Sequence, residues 1–400
     1  SASQAAWVSQ GPVYWSAGAA MSNPDLKWET TYSHNIGLDF GFFRGRLNGS
    51  VEVYQSNTKD LLINFPITGG YSTQYRNLGE VRNRGIEVTL SSAIVRKQNW
   101  GINFDANIAF NENEVMDLGG LDKITASAGM FSTEITYDYL VQEGRPLGDI
   151  YGYINDGMYT IDDFDYNNGT WTLKKGVADA SKVTGIEHVR PGAPKYVDVN
   201  NDGKIDADDI VNIGNVQPLF TGGFSLTAYA YGFDFAANFT YSYGNKVYNA
   251  NKIEFSTTKT TQGQNALESV SPDNRWTNID WETGELVNDP ERLASMNAGK
   301  TMWVPYSTKR IAQSWAVEDA SFLRLASLTV GYTLPEKWTK KIRLNRIRVY
   351  ATGTNLFCWT PYSGYDPEVD TRRSNPLTPN VDYSAFPKSR SWVFGINLSF

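Results

Sequence analysis

Large apolar residues fall on every even position of the closing segment Ser391-Trp-Val-Phe-Gly-Ile-Asn-Leu-Ser-Phe400, which ends on an aromatic. Trp392, Phe394, Ile396, Leu398 and Phe400 share one face. Ser391, Gly395, Asn397 and Ser399 share the other, where Val393 is the one apolar intruder. A period of two with that contrast describes a β-strand that is oily on one side and wet on the other. One such strand fits any half-buried sheet. Repeated along a chain, it describes a barrel in lipid.

Nine segments carry the alternation: 31–43, 46–57, 84–95, 100–111, 222–231, 233–244, 321–334, 345–357 and 390–400. The cleanest sets Trp100, Ile102, Phe104, Ala106, Ile108 and Phe110 against Gly101, Asn103, Asp105, Asn107, Ala109 and Asn111. Segment lengths are close to the roughly 9–11 residues that cross a membrane at a tilt. A soluble antiparallel sandwich also alternates, but two features weigh against it. Asp39, Glu52, Glu87 and Asp105 fall mid-strand on the polar face, which suits a wide wet lumen, and the opposite faces are aromatic and aliphatic throughout.

The connections add an independent argument. Short links at 44–45, 96–99, Gly232 and 335–344 alternate strictly with long links at 58–83, 112–221, 245–320 and 358–389. Outer-membrane barrels have short periplasmic turns and long extracellular loops. The rhythm therefore runs strand 31–43 inward and places residues 1–30 in an extracellular loop segment. Nine is odd where single-chain bacterial barrels are even, so the expectation is the C-terminal part of a larger barrel, residues 31–400 forming its wall and loops.

Composition agrees. A formal net charge of -7 gives no basic surface for phosphate backbones, so nucleic acid is not an expected partner. Aromatics reach 14% of residues, with 23 Tyr and 12 Trp, the types that favour membrane–water interfaces. Cys358 is the only cysteine, which forbids an internal disulfide. No run of 18 apolar residues exists to make a helical span, while a mean hydropathy of -0.41 is compatible with strands that wet one face. Ser1-Ala-Ser-Gln-Ala-Ala-Trp7 lacks the basic and apolar regions of a signal peptide, so an exported protein is expected to have begun before it.

The sharpest local motif is Asp198-Val-Asn-Asn-Asp-Gly-Lys-Ile-Asp-Ala-Asp-Asp209, inside the longest link. Oxygen ligands at positions 1, 3, 5 and 9, Gly at 6 and a carboxylate at 12 match a calcium loop. Asp198, Asn200, Asp202, Asp206 and Asp209 supply side-chain oxygens in that reading, Lys204 its carbonyl, and Ile205 an apolar anchor. A structural Ca2+ or Mg2+ would then pin an extracellular segment. The alternative is an acidic solvated turn, as expected for Asp162–Asp165 with Asn167–Gly169. Catalysis finds little support: two histidines, His34 and His188, and no nucleophile elbow or His-Glu-x-x-His, so no enzyme is expected. Tyr151, Tyr153, Tyr159, Trp171, Trp276, Trp281, Trp303 and Trp359 are candidates for stacking on sugars or, more simply, for girdle and loop-core packing.

Several strings resemble the SusC-like family of TonB-dependent transporters from Bacteroidetes. They are Asn23-Pro-Asp-Leu-Lys-Trp-Glu-Thr-Thr31 followed by Asn35–Phe40, Arg82-Asn-Arg-Gly-Ile-Glu-Val88, Ser321-Phe-Leu-Arg-Leu325, Val330-Gly-Tyr-Thr-Leu-Pro335, Thr354-Asn-Leu-Phe357, Tyr362-Ser-Gly-Tyr-Asp-Pro367 and Val381-Asp-Tyr383. The resemblance implies an all-β antiparallel transmembrane barrel of roughly 22 strands in a Gram-negative outer membrane. It also implies a plug, coupling to TonB through N-terminal parts, and a SusD-like surface lipoprotein that lids the barrel and captures oligosaccharides or peptides. A siderophore or vitamin receptor of the same barrel class is the runner-up; a soluble secreted glycan-binding or adhesin protein is the alternative outside membranes.

Overall fold

An alternating segment shows every other side chain to each face, and its N–H and C=O groups need partners on a neighbouring segment. The computed structural model describes residues 20–67, 71–129, 135, 137–257, 265–305, 309–372 and 375–400, with the backbone of the short pair Ala5–Ala6 and Tyr14–Trp15. Nine long strands form one antiparallel sheet in chain order. They are β1 (Thr30–Phe42), β2 (Leu47–Lys59), β3 (Glu80–Arg96), β4 (Trp100–Asp117), β5 (Phe220–Ala230), β6 (Phe233–Tyr243), β7 (Phe322–Thr333), β8 (Arg346–Trp359) and β9 (Ser391–Ser399). Among the described residues, the outer edges of β1 and β9 carry no further strand. No helix among the described residues is long and apolar enough to cross a membrane.

These are the nine segments that alternate in the sequence, with one difference of extent. β3 begins at Glu80 and β4 ends at Asp117, beyond the expected 84 and 111. The apolar pattern stops there because charges take over the outward face. Pairing continues because Arg84 donates from Nε and Nη2 to Glu112, each at 2.9 Å, and Arg82 pairs with Glu114.

Register joins the apolar residues into rows. Ile36 faces Val53, Val53 faces Ile86, and Ile86 faces Phe110. Another row runs from Phe40 through Gly49, Leu90, Ala106, Phe224, Phe239 and Leu325 to Phe357, across eight strands. From Trp100 to Phe110 the outward row of β4 covers ~33 Å along the strand, or ~25 Å across a bilayer at a ~40° tilt, the height of a barrel's apolar band. Exposed aromatics stand at both ends of the band: Phe42, Phe43, Trp100, Tyr231, Phe233 and Trp338 below, Tyr243, Phe357 and Trp359 above.

The short links are built by backbone chemistry. Tyr231 and Gly232 have φ of 48° and 94°, the two-residue turn whose twist matches an antiparallel pair. Residues 43–45 also turn through positive φ, and 334–345 carries the helical turns Glu336–Thr339 and Lys340–Ile342. At the other end, the link after β2 makes the hairpin Leu62–Pro66 with Thr73–Asn77, on which Ala20–Met21 lies parallel. Lys27 N donates to Asn77 Oδ1 at 2.7 Å, so the described part of 1–30 is tied to that hairpin; residues 1–19, apart from the backbone pair, lie outside the described residues.

Candidate functional site

The wall's polar face is stitched by side chains that reach across strands. Ser50 and Thr89 hydroxyls are 2.6 Å apart, Ser91 Oγ donates to Asp105 at 2.5 Å, and Asn35 Nδ2 donates to Glu52 at 3.0 Å. Asn238 donates to Ser327 at 2.8 Å, and Arg348 is bidentate to Asp234. Such a face is solvated, as the carboxylates Asp39, Glu52, Glu87 and Asp105 require. Tyrosines lie over bare backbone on the same face: Tyr54 at Gly85, Tyr229 at Gly101 and Tyr350 at Gly395, where an added Cβ would sit 2.3–2.7 Å from ring atoms.

Above the wall the long links do not hang separately. A core of Ala128, Tyr139, Ile150 and Val216 from the longest link, Tyr248, Ala250, Ile253, Ala312 and Ala316 from the next, and Val381 from the last is sealed from solvent. Strand Lys246–Asn249 holds them together by pairing antiparallel with Val317–Asp319 and parallel with Val381–Asp382. Tyr139 Oη donates to the Pro379 carbonyl at 2.7 Å across the same junction. Asp138 is buried beside these tyrosines, and burial pushes its carboxyl up to about 7 despite the bond from Ala128 N.

The last link is clamped to the wall's polar face by ions. Arg324 on β7 meets Asp366 at 2.7 Å and Glu368 at 3.0 Å, and Lys388 lies 3.1 Å from both carboxylates. Arg324 Nη1 also donates to Asn355, held at a φ of 54°. Sequence reasoning missed this cluster. The signal was present, since Arg324 and Asp366 each sit inside a family string, but only the fold brings the strings together.

A second cap core gathers Tyr159, Phe164, Ala180, Val189, Ala193, Tyr196 and Ile205 with Ile311. The motif 198–209 is pinned to it by Ile205, which is fully buried as the spacing requires. Asp198 accepts from Asp202 N and Gly203 N at 3.2 and 2.8 Å, Asn200 accepts from Asp202 N at 3.0 Å, and Asp202 accepts from Lys204 N at 2.9 Å. Gly203 turns the chain with a φ of 85°. Asp206 caps the turn Ala207–Asp209 and lies 3.3 Å from Lys182, which together hold its carboxyl below the usual range. Asp209 is buried and closes the loop by accepting from Val199 N and Asp206 N, each at 2.8 Å. Among the described residues, no group of three or more His, Cys, Asp or Glu side chains is placed to hold a metal by itself. A cation here would therefore also draw on Asn200 and the Lys204 carbonyl.

The aromatic candidates separate by burial. Tyr159, Trp276 and Trp303 are core residues, Trp171 packs edge-on to Phe164 and tilted against Tyr166, and Tyr153 packs on Tyr196. Tyr151 Oη donates to Gln142 at 3.1 Å. Trp359 lies on the outward face beside Phe357, in the upper girdle. Trp281 alone among them is an exposed cap residue, 58% accessible with the Arg275 guanidinium over its ring. His34 sits on the outward face next to the apolar band and His188 is exposed on the cap, far from any shared arrangement. Asp162–Gly169 is a short helical turn and a hairpin tip, as an acidic turn should be.

Comparison with known proteins agrees with this geometry. Residues 3–231 match the family model described as TonB dependent receptor-like, beta-barrel. TonB-dependent receptor P39 of Formosa agariphila is 31% identical over 96% of this chain and 37% of the relative. TonB-dependent receptor SusC of Bacteroides thetaiotaomicron is 26% identical over 98% of this chain and 34% of the relative. The solved RagAB peptide transporter superposes with a TM-score of 0.70 at 26% identity, over 99% of this chain and 38% of that one. The chain thus spans little more than a third of the length of the relatives it matches.

Proposed function

This chain belongs to the TonB-dependent receptor-like β-barrel family, and from that premise we propose that it forms wall and cap of a SusC-type importer for peptides or oligosaccharides. The sheet is a stretch of outer-membrane barrel: oily rows meet lipid, and the polar face lines the lumen. The observation that carries the proposal is the shared cap core, in which three long links are one folded body. Loops that merely joined strands would not need a common core; a surface that receives a lid does. A SusD-like surface lipoprotein is the partner this reading names, with energy supplied through TonB by parts of the protein outside this chain. The likeness to a peptide transporter favours peptides as cargo. Covalent chemistry has no part in it.

The test is to extract the full-length protein in mild detergent and identify what accompanies it. The expected result is a surface lipoprotein in equimolar amount, with uptake of labelled peptide or oligosaccharide lost when either subunit is deleted. A lone barrel with unimpaired uptake would overturn the proposal.

The 198–209 loop is proposed to hold a structural Ca2+ through Asp198, Asn200, Asp202, the Lys204 carbonyl, Asp206 and Asp209. Each of these oxygens keeps a lone pair beyond the backbone bonds it accepts. Calcium is expected to slow proteolysis of the link between β4 and β5, and Asp198→Asn to abolish that protection; identical digestion with calcium and with chelator would refute it.

A further inference from the structure

On the outward face, just where the apolar band ends, a groove of about 1190 Å³ opens between wall and cap. Transport through the lumen gives it no role. Ile36, Val53, Ile86 and Phe110 make its floor, and they are the top row of the lipid-facing surface. One step higher on the same face stand Arg84 and Glu112, then Arg82 and Glu114. Lys246 contributes a third cation from the cap side, where Gly144 and Pro146 also close the groove.

Charge sets this place apart. Asp and Glu outnumber Lys and Arg by more than two to one in the link 112–221, yet the groove beneath it gathers three cations against two carboxylates. The glutamates also orient the cations. Glu112 engages Nε and Nη2 of Arg84, which leaves Nη1 to donate outward, and Glu114 engages Arg82 through Nη2. The Nη1 hydrogens of Arg84, left over by that bidentate pairing, can donate a charge-assisted bond to a phosphate oxygen.

We propose that the groove seats the phosphorylated headgroup of an outer-leaflet lipid, its acyl chains lying on Ile36, Val53, Ile86 and Phe110. Anionic oxygens then meet Arg82, Arg84 and Lys246 at the depth where headgroup gives way to hydrocarbon, where partial desolvation strengthens such pairs. The inference rests on the wall's place in the membrane and not on the cargo, so a failure to import peptide or sugar would leave it standing.

The test uses full-length protein, delipidated in detergent and titrated with a bisphosphorylated lipid A, with a phosphate-free galactolipid and with inorganic phosphate, read by native mass spectrometry. Lipid A is expected to stay bound, the galactolipid to wash off, and millimolar inorganic phosphate to displace nothing. Arg84→Gln and Lys246→Gln are each expected to weaken retention about tenfold, with Arg84→Lys intermediate. Lys246→Gln disturbs neither Arg–Glu pair, so it decides the matter if Arg84→Gln loses heat-modifiable migration. Unchanged retention in folded Lys246→Gln, equal binding of the galactolipid, or displacement by free phosphate would each overturn the assignment.

Discussion

At the scale of single residues, buried charge decides most. Arg324 is buried with Asp366 and shares it with Lys388, so Arg324→Met leaves two carboxylates on one exposed lysine. Breaking a buried pair from one side costs ~3–5 kcal/mol. Faster hydrogen exchange is expected across 360–390 and in β7, and wild-type exchange there would contradict the clamp. Asp138 makes a different prediction. Its carboxyl titrates at about 7 in the folded cap, against ~3.9 in an unfolded chain, so the folded form holds the proton more tightly. The stability this confers is complete below pH ~4 and is lost as pH climbs to ~7, up to ~4 kcal/mol. Asp138→Asn should therefore slow exchange of the Tyr139 and Tyr248 amides, corrected for intrinsic rate, at pH 8 and change little at pH 4. A pH-independent difference would count against it. Arg324 stood inside a family string but needed the fold to bring it to Asp366, whereas nothing local distinguishes Asp138 from the many solvated aspartates around it. Ile205 could be singled out from the sequence, since a calcium-type loop must anchor its eighth position.

At the scale of elements, period-two patterning marked all nine strands because lipid on one side and water on the other leave a sharp contrast. It failed where that contrast ends. The outer turns of β3 and β4 are strands held by Arg84–Glu112 and Arg82–Glu114, and their outward residues are charged. The cap's short strands were illegible for a related reason: Lys246–Asn249 takes its partners from 317–319 and 381–382, and such distant pairing has no local period. The lumen tyrosines give a testable element-scale consequence. Tyr229 covers Gly101 and its hydroxyl donates to the Lys97 carbonyl at 2.9 Å, bridging β5 to the turn before β4. Gly101→Val drives a side chain into that ring, 2.5 Å from Tyr229 Cε1, and should lower stability by ~1–3 kcal/mol as overpacking does. Adding Tyr229→Ala should recover part of the loss. A lower heat-modification midpoint in the single variant, partly restored in the double, is the expected pattern; additive losses would contradict it.

At the scale of the molecule, two bodies share one chain: a wall whose interior is water and whose exterior is oil, and a cap with dry cores of its own. The wall inverts a soluble protein's logic, which is why Ile36, Phe394 and Ile396 are 66–80% accessible in the isolated chain. Those surfaces are satisfied only by acyl chains, and a charge there costs ~2–4 kcal/mol at mid-band. Leu226→Arg should thus block assembly into the membrane, whereas Ser225→Arg, one residue away and facing Asp105, should be tolerated. The most direct measurement places nitroxide labels, in full-length protein with Cys358→Ser reconstituted in liposomes, at Val88, Leu226 and Val330 and at their neighbours Thr89, Ser225 and Thr329. The first three are expected to collide with oxygen dissolved in the bilayer, and the second three with an aqueous nickel chelate. Equal access of the chelate to both sets, or shielding of the first set from both quenchers, would contradict a wall of strands standing between lipid and water.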